Sequence, residues 1–249
     1  MPEYIPISPK TVEGKSWTRG SLERFQGQAL LPIAPSEIMN ASGAFPLAFV
    51  RTKAGLQIVA VCGQETEHNL FIKQGKWLGN YVPEFCMTYP FQMVVKDENG
   101  ILIFDEESGL MCDDTEGEVF FDAEGKPAGA LEEIVKLLTR AQAMGPAFAA
   151  ALKAIDEAKL LMPWPQELAE SAGIKIKGLQ MINEKALAEL SDEDFLKVRK
   201  SLPIIYAVNL SLSQRHLLIR LGKLNPKAAA VEDVAAMFEA PDDTLKFNF

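Results

Sequence analysis

A chain of 249 residues with a formal net charge of −9 is long enough to bury a core without disulfide or metal staples and too acidic to serve as a general polyanion binder. Hydrophobic residues make up 48% and charged residues 24%, and no run of about 18 apolar residues offers a membrane span. The three cysteines, Cys62, Cys86 and Cys112, lack Cys-x-x-Cys spacing, which excludes a zinc knuckle or a redox pair and fits packing residues in a reducing compartment.

The opening residues Met1 to Pro6 lack the basic and apolar regions of a signal peptide, so a cytoplasmic location is expected. Ile5 to Ile7 predicts a short edge strand. Pro35-Ser36-Glu37 predicts the start of a short helix with Ser36 as its cap. From Pro46 the pattern becomes β. Leu47–Val50 and Leu56–Val61 flank a loop ending at Gly55 and read as a hairpin, and Asn69–Ile72 and Lys76–Leu78 read as a second around Lys73-Gln74-Gly75. A third joins Met93–Val95 to Ile101–Phe104, with its turn expected at Asn99-Gly100, because both residues tolerate φ > 0. Glu118–Phe121 is expected as a further strand before the turn Asp122-Ala-Glu-Gly125.

At Leu131 the period turns helical, with Leu131, Ile134, Val135 and Leu138 on one face. Gly145-Pro146 is expected to interrupt this helix. Phe148, Leu152 and Ile155 form the next stripe, and Pro163-Trp164-Pro165 is expected to end it. Ile174-Lys-Ile-Lys177 and Leu179–Ile182 read as a strand pair or bulged strand with its lysines in water, rejoining the N-terminal sheet. Ser191-Asp-Glu-Asp194 fits a capping box. Helices are expected over 192–201, 204–222 and 227–239. The predicted architecture is one α+β domain over 1–249. Its antiparallel β-rich half covers 1–128, and its mainly helical half covers 129–240 with a short β segment near 174–182.

Charge is uneven along the chain. Residues 97–124 hold eleven acids and no Lys or Arg, whereas residues 174–227 hold ten Lys/Arg against five acids. The acidic stretch from Asp105 to Glu118 lacks the ligand spacing of a calcium loop, so a solvated loop is expected. His68 stands beside Glu65 and Glu67, a combination that suits a general base or weak metal ligand and also plain polar surface. Ser213, Gln214 and Arg215 precede an apolar segment as in a recognition helix, with Arg220 and Lys223 available for phosphates. An amphipathic helix with a basic face explains the same pattern, and the acidic remainder would repel nucleic acid. Phosphate-binding glycine loops and a nucleophile elbow are missing, and two histidines cannot supply a His-rich metal site. No catalytic residue, metal or cofactor is assigned. An enzyme working through carboxylates and lysines stays open.

The densest aromatic segment runs from Gly75 to Phe91 and contains Trp77, Tyr81, Phe85 and Tyr89. Aromatic rings with polar handles suit a ligand or partner surface, and equally a core turning corners at Pro83 and Pro90. Asn69-Leu-Phe-Ile72, Gly75-Lys-Trp-Leu-Gly-Asn-Tyr-Val-Pro83 and Tyr89-Pro-Phe91 resemble the signature of the SapC family. The resemblance extends to Tyr4-Ile-Pro-Ile-Ser8, Gly14-Lys-Ser-Trp17, Phe120–Pro127, Leu179 through Phe195, and Ile204-Ile-Tyr-Ala207. It departs at Val12 and Glu13, where family members often carry a histidine. The family is named for an association with bacterial surface-layer proteins. The resemblance therefore implies a bacterial accessory protein that handles or regulates a surface or outer-membrane protein. Together with the aromatic segment, it leads to the expectation of a non-enzymatic protein that binds a protein or peptide partner through Trp77, Tyr81, Phe85 and Tyr89. An enzyme or enzyme subunit modifying peptides or amino acids, and a nucleic-acid regulator, are the alternatives. The oligomeric state is left open.

Overall fold

The computed structural model describes residues 3–96, 99–113 and 116–225. The N-terminal part carries β1 (Tyr4–Pro6), β2 (Ser16–Trp17), β3 (Leu30–Pro32), α1 (Ile38–Ser42), β4 (Leu47–Thr52), β5 (Gly55–Val61), β6 (Ile72–Lys73), β7 (Lys76–Trp77), α2 (Glu84–Thr88), β8 (Phe91–Lys96), β9 (Asn99–Asp105) and β10 (Met111–Cys112). The C-terminal part carries α3 (Gly129–Glu157), β11 (Leu161–Pro163), α4 (Gln166–Ser171), β12 (Gln180–Ile182), α5 (Glu184–Ala188), α6 (Asp192–Val198), α7 (Leu202–Ser213) and α8 (Arg215–Leu224). The sheets are antiparallel and mainly N-terminal, and the long helices follow them, so the class is α+β.

The larger sheet has the order β11-β12-β4-β5-β3. Its centre is the hairpin β4–β5, in register from Leu47 opposite Ala60 to Thr52 opposite Gly55. Leu47, Ala48 and Phe49 are all fully buried, because α7 packs on β4 and α3 on β5. A strand covered on both faces reads as a continuous apolar run. β12 joins this sheet with Gln180 opposite Phe49, so the segment near 174–182 does rejoin the N-terminal strands. The smaller sheet has the order β1-β9-β8, with β1 at one edge as its position predicts and β8 at the other.

Two hydrophobic clusters result. The larger surrounds β4, β5 and α7. In the smaller, Trp17 meets Phe91 edge-on at 4.8 Å, Phe91 meets Phe104 at 5.0 Å, and Phe120 closes the group. Helix α3, with 29 residues and a length of about 43 Å, joins them. Leu131 and Ile134 near its start enter the smaller cluster, and Leu152 and Ile155 near its end enter the larger.

Several local expectations are corrected. Gly145-Pro146 does not interrupt α3, which runs through Pro146. The carbonyl that loses its donor belongs to Gln142, on a stretch exposed to solvent, and the helix is held by its two packed ends. The helix stops at Lys159, whose φ of 55° is left-handed, before Pro163-Trp164-Pro165 is reached. Asn99 and Gly100 lie within β9, opposite Lys96 and Val95, and do not form the turn. Glu118–Phe121 makes only isolated bridges, Glu118 with Trp17 and Phe121 with Pro127. Residues 174–177 alternate in burial as expected, with Ile174 and Ile176 inside, but form no ladder of their own. Ser36 does not cap α1; Glu37 occupies that position, and the Ser36 hydroxyl donates elsewhere. The expected helix over 204–222 breaks at Gln214, whose amide donates to the carbonyl oxygens of Ser42 and Leu210. Ser191 does cap α6, accepting from the Asp194 N–H at 3.2 Å. The helix expected over 227–239 lies outside the described residues.

Candidate functional site

The aromatic segment divides into two parts with different neighbours. The turn between β6 and β7 places Gln74 and Gly75 at φ of 50° and 72°, a pair of left-handed residues that joins two right-twisted strands. It returns Trp77 over Phe71, with ring centroids 5.5 Å apart and stacked, and edge-on to Phe45 at 6.0 Å. Tyr81 is edge-on to Phe45 at 6.3 Å. Trp77 and Tyr81 are half-buried against the larger cluster. Arg220 of α8 closes this side, its guanidinium 5.0 Å from the Phe71 ring and donating to the Leu78 carbonyl at 3.0 Å.

Pro83 then starts α2, and the Tyr89-Pro90 peptide is cis. Phe85 and Tyr89 both meet Phe25 edge-on, at 5.6 and 5.8 Å. The Tyr89 hydroxyl donates to Asp105 Oδ2 at 2.7 Å, and Arg24 lies 3.8 Å from its ring centroid. Burial, followed by the bond to Asp105, pushes the Tyr89 hydroxyl up to about 12.

Between the two halves lies a feature that composition did not signal. Glu37, only 1% exposed, accepts three hydrogen bonds: from the Ala34 N–H at 2.9 Å, the Glu84 N–H at 2.8 Å and the Tyr81 hydroxyl at 2.8 Å. Glu84, 8% exposed, accepts from the Ser36 hydroxyl at 2.6 Å. Burial raises the Glu37 carboxyl against the three donors that lower it, and the Glu84 charge adds to the rise. Burial likewise holds the Tyr81 hydroxyl above its ordinary range, reinforced by Glu37. It pushes the Cys86 thiol up to about 12, with the charge of Glu37 contributing. Neither Cys86 nor the fully buried Cys62 is a ready nucleophile, since the thiolate is the reactive form.

Beside this pair a cleft of ≈ 290 Å³ opens between β8, α2, α3 and the residues Pro32, Ile33 and Ala34 at the end of β3. Glu84, Phe85, Tyr89, Met93 and Leu138 are among its walls. Phe85 and Tyr89 therefore share a cavity, while Trp77 and Tyr81 do not reach it. Glu84 is the residue that reading for aromatics overlooked. The signal for it exists, because Glu84 is the single charged residue between Lys76 and Lys96. Glu37 had no such signal, since Ala34-Pro-Ser-Glu37 reads locally as a helix start.

The other candidates stand apart from this cleft. His68 and His216 are exposed. Glu65, beside His68, pairs with Lys175 at 2.9 Å. Among the described residues no group of three or more His, Cys, Asp or Glu side chains is arranged to hold a metal ion. No described helix is long and apolar enough to cross a membrane. Of the basic residues on α8, Arg220 is committed to Leu78 and Phe71. A family model described as SapC matches residues 14–218, which include every residue of the cleft and both halves of the aromatic segment. No curated protein and no solved structure matches the chain.

Proposed function

Because this chain belongs to the SapC family, we propose that it is a non-enzymatic accessory protein that binds a peptide or protein partner. Its place is the production or handling of a bacterial surface or outer-membrane protein, from the cytoplasmic side. The observation that carries this reading is the cleft beside β8, where three aromatic residues, aliphatic walls and a single carboxylate surround an open space. Aromatic and aliphatic walls supply contact area on binding, and one charged group gives orientation. In this reading Phe85 and Tyr89 touch the partner, and Trp77 and Tyr81 hold the segment in place from behind.

A second reading, an enzyme acting on peptides or amino acids, draws on the buried Glu37–Glu84 pair, since paired carboxylates with shifted protonation occur in acid–base sites. Against it stand the three donors already bound to Glu37 and its near-complete burial, which leave a substrate no access to it. A tagged pull-down from the native host, with the eluate read by native mass spectrometry, separates the two. A stoichiometric protein partner that is lost on Phe85→Ala supports the accessory reading. A bare protein that carries a bound small molecule overturns it in favour of the enzyme.

A further inference from the structure

We infer that the open edge of β8 takes an extended segment of the partner polypeptide as a fourth strand of the β1-β9-β8 sheet, with a lysine or arginine of that segment seated on Glu84 in the adjoining cleft. This rests on the partner-binding reading above and adds to it a binding mode and the chemistry of the partner.

The phase of the β8–β9 ladder shows which backbone groups are available. The Asp105 N–H donates to the Pro90 carbonyl at 3.0 Å, so the pair Pro90–Asp105 is a hydrogen-bonded one. In an antiparallel ladder such pairs alternate. Gln92 and Val94 therefore turn their N–H and C=O groups toward β9; Phe91, Met93 and Val95 turn theirs outward, and of these Phe91 is 1% exposed, which leaves Met93 and Val95 for an added strand. The Ile7 N–H donating to the Leu102 carbonyl at 2.8 Å gives the same phase from the far side of β9, since Leu102 faces β1. The sheet order ends at β8. The cleft is lined by the consecutive residues Phe91, Gln92 and Met93 and by no residue of β9, which sets it on the outer edge. Val94 and Val95, further along the strand, are 41% and 52% exposed. A sheet edge with outward donors and acceptors is a template for an added strand, in which the main chain gives affinity and side-chain pockets give selectivity.

Charge identifies the occupant. Glu84 and Glu37 are both more than nine-tenths buried, and neither forms an ion pair with any Lys or Arg among the described residues. Carboxylates withdrawn from water without a counter-charge attract a cation strongly, because the local dielectric is low. Glu84 is the member of the pair that lines the cleft. Phe85 beside it offers an apolar wall for the methylene stem of a basic side chain. The chain after β8 extends the same sign, with eleven acids and no base over 97–124, and steers a basic segment toward this edge.

The test is fluorescence anisotropy of a fluorescein-labelled peptide of alternating valine and lysine, titrated with the full chain. A valine–glutamate peptide and a copy of the lysine peptide N-methylated at alternate residues serve as comparisons. Saturable binding of the lysine peptide is expected, weakened about tenfold or more by either change to the peptide and by Glu84→Gln. Met93→Pro is expected to weaken it about as much while leaving the circular dichroism intact, because it removes an outward N–H and no bond to β9. If Met93→Pro misfolds, the N-methylated peptide still decides on the native chain. Equal binding of the methylated and unmethylated peptides, or of the lysine and glutamate peptides, overturns the inference. A host partner whose capture is unchanged by Glu84→Gln and by folded Met93→Pro overturns the edge and leaves the accessory reading standing. No captured partner together with no peptide binding overturns both.

Discussion

The two halves of the aromatic segment are both rich in aromatic rings and meet different neighbours. Trp77 and Tyr81 are half-buried, packed against Phe45 and Phe71, which are 0% and 1% exposed, and tied through the Tyr81 hydroxyl to Glu37. Phe85 and Tyr89 also pack, on Phe25, yet keep a side on an open cleft. Aromatic density thus marks where the chain turns between its five-stranded and three-stranded sheets. It borders a cleft only where the fold leaves adjacent space unfilled. The carboxylates follow the same division. Glu37 holds three donors and is 1% exposed, and Glu84 borders the cleft.

Four substitutions probe this division, and the largest effect is expected at its structural side. Phe45→Ala empties a fully buried site at the junction of Phe71, Trp77 and Tyr81 and is expected to cost about 3–5 kcal/mol in urea unfolding. A cost under about 1 kcal/mol would mean that the first half is not a packed unit. Trp77→Ala, at a half-buried ring, is expected to cost about 2 kcal/mol while partner capture by the folded variant is unchanged. Capture lost without a change in stability would erase the distinction between the halves.

Glu37→Gln sharpens the comparison through pH. Burial raises the Glu37 carboxyl in the folded chain above its ordinary value of 4.5. The folded state therefore holds more protons than the unfolded state between pH 4.5 and the raised folded value, and stability contributed by this group falls as pH rises through that window. The stability difference between wild type and Glu37→Gln, followed from pH 4 to 8 by thermal unfolding, is expected to shift against the wild type as pH rises. A difference that stays flat would place no raised carboxyl at Glu37. The smallest stability effect is expected for Phe85→Ala, which gives up an edge-on contact with Phe25 worth about 0.5–1.5 kcal/mol together with some buried area. Its capture of the partner is nevertheless expected to weaken about tenfold, read from the pull-down yield against concentration.

Legibility differed between elements for physical reasons. The hairpin β4–β5 was readable because an apolar run interrupted by Gly55 is a local pattern, and the Ser191 cap because its bond spans three residues. Asn99-Gly100 misled because a residue pair that tolerates a tight turn also tolerates a strand, and pairing of Val95 with Gly100 decided the matter. Pro146 misled because the penalty of one proline is local, whereas α3 is anchored in a different cluster at each end. Ser36 was a sound cap by type, but Glu84, far along the chain, took its hydroxyl.

By itself the sequence determined the α+β class, the order of strands before helices, the apolar stripes of α3 and the family, because periodicity, turn chemistry and motif order act along the chain. Only the tertiary structure decided which aromatics face a cleft, that β8 is the last strand of its sheet, and that Glu37 and Glu84 meet although 47 residues separate them. The burial of a side chain and the partners of its polar atoms are set by what the fold brings beside it, and neighbours in sequence carry no record of that.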